Sequence, residues 1–104
     1  MTLEKVKIKL EESKLPVTYH AFPVDHAPPL PFICYCEVKT EPFAADGQVY
    51  YYPRRIAVEL YINQRDPKTE SALEQILNTL GVWSREPIYL ESQKCYEIYY
   101  EVEV

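Results

Sequence analysis

The sequence predicts an α+β fold: a single domain over residues 1–104, with a mostly antiparallel sheet of four to five strands and two helices packed on one face. Three observations lead there. At 104 residues the chain has room for one hydrophobic core, since domains cluster around ~100–150 residues. Residues 66–81 carry a full set of helix signals, while residues 48–63 and 87–104 alternate apolar and polar positions as half-buried strands do. The order of signals is α-β-β-β-α-β-β, which suits an antiparallel sheet with its helices on one side.

Residues 2–14 read as the first helix, with Thr2 as N-cap and Leu3, Val6 and Leu10 at helical spacing. Val6, Ile8 and Leu10 also alternate as a strand would; the charge density and the absence of aromatics favour helix. Leu15-Pro16 ends it, because proline disfavours α geometry in the residue before it. VTYHAF (17–22) is a short strand candidate, followed by a proline-rich irregular connection to Pro31. LPFICYCEV (30–38) is apolar on both alternating faces, as expected of a strand near the middle of a sheet. Residues 39–47 are a loop closing on the turn signal Asp46-Gly47.

The longest strand candidate is 48–63. It turns Ile56, Val58, Leu60 and Ile62 to a core, and Arg55, Ala57, Glu59 and Tyr61 to water or a neighbour. Pro53 restricts pairing in its first half, having no N–H to donate. The second helix has Asp66 as N-cap, Pro67 at its first position and Gly81 beyond its end. Leu73, Ile76, Leu77 and Leu80 form its apolar stripe, leaving Glu70, Glu74 and Gln75 outside. The remainder reads as a hairpin: a strand near 87–92, a turn at Ser92-Gln93-Lys94, and a strand over 95–104. In the last strand Tyr96, Ile98, Tyr100, Val102 and Val104 alternate with Cys95, Glu97, Tyr99, Glu101 and Glu103.

Composition narrows the function. A net charge of −5, with Arg54-Arg55 the only adjacent basic pair after the first helix, argues against sequence-specific nucleic-acid binding, which neutralises phosphates with clustered Lys and Arg. No apolar run reaches the ~18–20 residues of a membrane span, and the first residues lack the layout of a signal peptide, so the chain reads as a soluble protein made in the cytoplasm. With two glycines there is no phosphate-cradling loop. Cys34 and Cys36 lie two apart on a strand, which suits buried thiols and neither a disulfide nor the C-x₂₋₄-C knuckle of zinc; with His20 and His26 they make a poor metal set. The acidic residues mostly alternate with apolar ones, as on a solvated face. No catalytic, cofactor-binding or metal-binding residues stand out, and the expectation is a non-enzymatic protein without cofactor.

Ten tyrosines point instead to interfaces, where the ring packs and the hydroxyl stays wet. Two surfaces are candidates. One is the sheet face carrying Glu59 and Tyr61 with Glu97, Tyr99, Glu101 and Glu103. The other is the connection 39–50, where Phe43, Ala44 and Ala45 put apolar groups beside Asp46 and Tyr50. The bland alternatives are a solvated sheet and a Phe43 folded back onto the core.

The order of short segments resembles a known group. Leu15-Pro16-Val17-x-Tyr19-x-x-Phe22 leads through prolines to Pro31-Phe32-Ile33-Cys34-Tyr35, then Phe43-Ala44-Ala45-Asp46-Gly47-x-Val49-Tyr50. Val58-Glu59-Leu60-Tyr61, Asp66-Pro67-x-x-Glu70, Ile88-Tyr89-Leu90-Glu91-Ser92 and Tyr96-Glu97-Ile98-x-Tyr100-Glu101 follow. This resembles the short head–tail junction proteins of siphophages and prophages, which are similar to tail-terminator, tail-completion and tail-to-head joining proteins. The resemblance implies a structural protein of the virion, a homo-oligomer forming a hexameric ring. That ring ends the tail tube and joins it to the head connector, with DNA passing through. The rival expectation is a small intracellular regulatory module that pairs with one protein.

Overall fold

The computed structural model describes residues 2–23, 25–38 and 54–104 in full, and the backbone of 43–45 and 48–51. The elements run α1 (Leu3–Glu11), β1 (Val17–Tyr19), β2 (Phe32–Glu37), β3 (Phe43–Ala45), β4 (Gln48–Tyr51), β5 (Arg55–Ile62), α2 (Pro67–Asn78), β6 (Trp83–Leu90) and β7 (Cys95–Glu103). Five strands form the main sheet in the order β1-β2-β5-β7-β6, while β3 and β4 pair as a separate two-stranded sheet. Only β1–β2 is parallel; the other pairs are antiparallel. The α+β class, the mostly antiparallel sheet and the helices on one face are as expected from sequence.

Register explains the core. Tyr35 stands opposite Val58, and Val58 opposite Tyr100; Ile33, Leu60 and Ile98 form the next row. These residues share one face with Ile56, Ile62 and Val102, and they are buried under Val6 and Leu10 of α1 and Leu73, Leu77 and Leu80 around α2. A fully buried aliphatic or aromatic side chain contributes ~1.5–3 kcal/mol, so this layer is the main source of stability. Ile8 is 61% exposed while Val6 and Leu10 are fully buried, which settles the helix reading of α1 against the strand alternative.

The local signals act as the residues dictate. Thr2 Oγ1 accepts from the Lys5 N–H at 3.2 Å, and Asp66 accepts from the Lys68 N–H at 3.1 Å and the Thr69 hydroxyl at 2.9 Å. α1 stops earlier than residue 14, with Lys14 in the left-handed region at φ 68°. The strand expected over 17–22 is cut to Val17–Tyr19, because His20 also takes φ 68° and turns the chain away. The span expected as one strand over 48–63 is two, β4 and β5, and the loop expected over 39–47 contains β3. The turn Asp46-Gly47 and Pro53 lie outside the described residues.

Two further expectations are corrected. The strand near 87–92 begins at Trp83, its first half held in register by β7 despite a polar, proline-containing sequence. Pro87 is accommodated because β6 is the edge strand, where a missing N–H disrupts no ladder on the open side. On α2, Ile76 is only half-buried, and the inward position one turn before Leu73 belongs to Glu70, which is 4% exposed. Glu70 is tolerated there because Arg65 reaches it with two hydrogen bonds, at 2.8 and 2.9 Å, and Arg85 lies at 3.7 Å. Arg85 also bonds Glu74 at 2.6 Å, and Glu74 accepts from the Tyr100 hydroxyl at 2.7 Å, so one polar network ties α2 to β6 and β7.

Candidate functional site

The face of the sheet away from the helices collects the chemistry. Its rows across the strands are Phe32–Tyr61–Glu97–Ile88, Cys34–Glu59–Tyr99–Glu86 and Cys36–Ala57–Glu101–Ser84. The sequence-predicted residues Glu59, Tyr61, Tyr99 and Glu101 are therefore brought together, all of them half-buried. Phe43, Ala44 and Ala45 lie on β3 and Tyr50 on β4, in the smaller sheet, whose backbone alone is described; Asp46 lies outside the described residues. In chain order β3 and β4 fall between β2 and β5, which are themselves antiparallel partners.

Within the face, the Tyr61 hydroxyl donates to Glu59 at 2.5 Å and the Tyr99 hydroxyl to Glu101 at 3.3 Å. Glu101 also faces Arg55 at 3.8 Å. Glu59 and Glu97 sit diagonally, two residues apart in the β5–β7 register, and hydrogen-bond one another. Burial, then that hydrogen bond, then the neighbouring Glu59 charge push the Glu97 carboxyl up to about 7. The other half-buried or buried carboxylates with an assigned ion pair, Glu37, Glu70, Glu74 and Glu101, each have an arginine.

The thiols follow the same field. Burial, then the Glu59 charge, push Cys34 up to about 11, and the same two causes raise Cys36. Both are protonated at neutral pH and so are weak nucleophiles. Burial and Glu101 raise the Tyr99 hydroxyl to about 12; burial and the hydrogen bond to Glu59 raise Tyr61 as well.

Of two buried members of this face, Ala57 was expected to be open and Cys34 to be a buried thiol. Ala57 is 2% exposed, a short side chain set between longer ones, Glu59 along the strand and Glu101 across it. Cys34 is 4% exposed because the connection from β1 to β2 crosses over it. Phe22 of that connection packs edge-on against Phe32 at 5.1 Å, and Phe32 lies 5.3 Å from Tyr61. An open cavity of about 250 Å³ lies beside them, lined by residues including Phe22, Phe32, Cys34, Tyr61 and Leu90. The pairing of Glu97 with Glu59 was the piece sequence reasoning missed: alternation puts both on one face, but only register makes them neighbours.

Neither a protein-family model nor a curated protein matches the chain. Among the described residues no group of His, Cys, Asp and Glu is arranged to hold a metal ion, and no helix is long and apolar enough to cross a membrane. What the face offers chemically is a half-buried strip of tyrosine and carboxyl groups, suited to hydrogen bonding and to a basic or aromatic surface.

Proposed function

We propose that this chain is a non-enzymatic structural subunit of a tailed-phage particle, a homo-oligomer acting as a ring at the head–tail junction. The ring ends the tail tube, joins it to the head connector and lets DNA pass. The observation that carries the proposal is the gathering of Glu59, Tyr61, Tyr99 and Glu101 on one sheet face, opposite the helices. A subunit with two unlike faces makes head-to-tail contacts, and a repeated head-to-tail contact closes into a ring when its rotation allows. The order of segments shared with siphophage junction proteins supports the setting, and the β3–β4 hairpin supplies a second contact. A hairpin of three- and four-residue strands is marginal by itself, so packing against a neighbour favours it.

The mass in solution across concentration, measured by light scattering after size exclusion, tests this reading. A hexamer, or a monomer moving toward one as concentration rises, is expected. Phe43→Ala should leave the monomer folded and weaken the assembly. A tight dimer that goes no further overturns the ring and favours a regulatory module with one partner. An acid–base enzyme has the raised carboxyl of Glu97, beside Glu59, in its favour. Against it, the cavity on this face that Tyr61 and Cys34 line has neither carboxyl in its lining.

A further inference from the structure

The open cavity of about 250 Å³ on the sheet face is walled mainly by rings. Phe22, Phe32 and Tyr61 line it, with His20, Leu90 and Gln93 among the other walls. The planes of Phe22 and Phe32 stand at 83° with centroids 5.1 Å apart, and those of Phe32 and Tyr61 at 34° with centroids 5.3 Å apart. Rings set at such angles bound a space and do not stack flat to fill it. The volume falls short of the ~300–1,000 Å³ of pockets that enclose a drug-sized molecule, and suits one long side chain. Among the described residues that line it there is no carboxylate, lysine or arginine.

The charge lies immediately behind these rings. Glu97 is the direct partner of Tyr61 across the β5–β7 ladder, and the Tyr61 hydroxyl donates to Glu59 at 2.5 Å. Residues directly opposite in such a ladder have Cβ atoms ~4.5–5.5 Å apart, so Glu97 stands next to a ring that walls the cavity. Donation of the phenol proton to a carboxylate also polarises the Tyr61 ring and makes its face more negative. An aromatic wall backed by two carboxyls attracts a cation and repels an anion. A wholly apolar occupant would cover those carboxyls without pairing them, which costs free energy.

We propose that this cavity seats one arginine side chain presented by a partner protein. The guanidinium stacks on the rings and turns its N–H groups toward Glu59 and Glu97, while its aliphatic stem packs on Leu90 and Phe22. Arginine suits the place better than lysine, because its planar head stacks on aromatic faces, forks to carboxylates and is more weakly hydrated. The chain's own arginines are engaged elsewhere: Arg54 with Glu37, Arg55 with Glu101, Arg65 with Glu70 and Arg85 with Glu74. The occupant therefore comes from a different protein, drawn at longer range by the net charge of −5. This assignment rests on the cavity and its charge, and does not depend on the ring.

Nuclear magnetic resonance of the full chain with isotope-labelled aromatic rings tests this at pH 8, above the Glu97 carboxyl's position of about 7. The probe is acetyl-arginine methylamide, compared with acetyl-citrulline methylamide, which has the same shape without the charge. The arginine probe is expected to shift the ring signals of Phe22, Phe32 and Tyr61 saturably, with a dissociation constant on the order of 10 mM. The citrulline probe should bind at least ~tenfold more weakly. Phe32→Leu should weaken arginine binding about tenfold, and Glu97→Gln, which keeps the side chain's shape and spares the ring packing, roughly threefold. The amide spectrum of each variant reports whether it is folded. Equal binding of the two probes overturns the assignment, as do ring signals that do not saturate below ~100 mM. Unchanged arginine binding in folded Glu97→Gln overturns it too, since the cation would then owe nothing to the carboxyls.

Discussion

Gly81→Ala is the substitution whose cost the structure specifies most directly. Gly81 sits after α2, where the chain turns into β6 and passes the end of β7. A Cβ at this position would lie 2.0 Å from the Glu103 carbonyl oxygen and 3.1 Å from its carbonyl carbon. Ordinary contact between such atoms needs roughly 3.5 Å, so one backbone must move by more than ~1 Å. Neither is free to do so cheaply. The Glu103 N–H donates to the Val82 carbonyl at 3.1 Å, and Val104 exchanges hydrogen bonds with Arg54 at 2.8 and 3.3 Å. Overpacking of this kind costs ~1–3 kcal/mol, against which alanine recovers about 0.4–1 kcal/mol by restricting the unfolded chain. A net loss of about 1–2 kcal/mol is expected. Urea unfolding followed by the fluorescence of Trp83 should show a lower midpoint with an unchanged slope. An unchanged midpoint would refute the reasoning, since it would mean that the α2–β6 turn yields without cost and the glycine serves no packing purpose.

Stability should also fall as pH rises through the window set by Glu97. The native carboxyl keeps its proton up to about 7, above its ordinary 4.5, so the native state binds more protons than the unfolded chain between these values, and stability present below 4.5 is lost as pH rises through 7. The full shift corresponds to ~3 kcal/mol, reduced by solvent contact to about 1–2 kcal/mol; Glu97→Gln should flatten the profile in urea titrations at pH 5 and 8. Glu70→Ala should cost about 1–3 kcal/mol, because it removes the two hydrogen bonds from Arg65 and opens a gap beside Leu73. Glu70→Leu should cost less, since both arginine side chains are 40% exposed and can turn to water while leucine fills the space. Equal thermal midpoints for the two variants would show that the charge pairing, and not the volume, is what matters there.

The parts of the fold legible in sequence were those carried by local rules. Asp66 and Pro67 announce α2 because capping is settled within one turn, and Ile56, Val58, Leu60 and Ile62 announce the core face of β5 because strand alternation is settled within one strand. Glu70 was misread because polarity placed it outside the apolar stripe, while the arginines that allow its burial come from the preceding loop and from β6. Trp83–Glu86 gave no strand signal, since its regularity is borrowed from β7 across the ladder. In the candidate site, alternation put Glu59, Tyr61, Tyr99 and Glu101 on a common face. The Glu59–Glu97 contact and the cover over Cys34 were not visible, because one depends on register and the other on where a proline-rich connection happens to lie.

The edge strand has a consequence for behaviour at high concentration. β6 has a single neighbour in the sheet, and its middle reads Arg85-Glu86-Pro87. An incoming strand meets there a pair of opposite charges and a residue with no proton to donate, so accretion of one sheet onto another is checked at its midpoint. Along β6, then, one copy of this chain is a poor template for another, and strand-to-strand fusion into fibres is blunted at that edge.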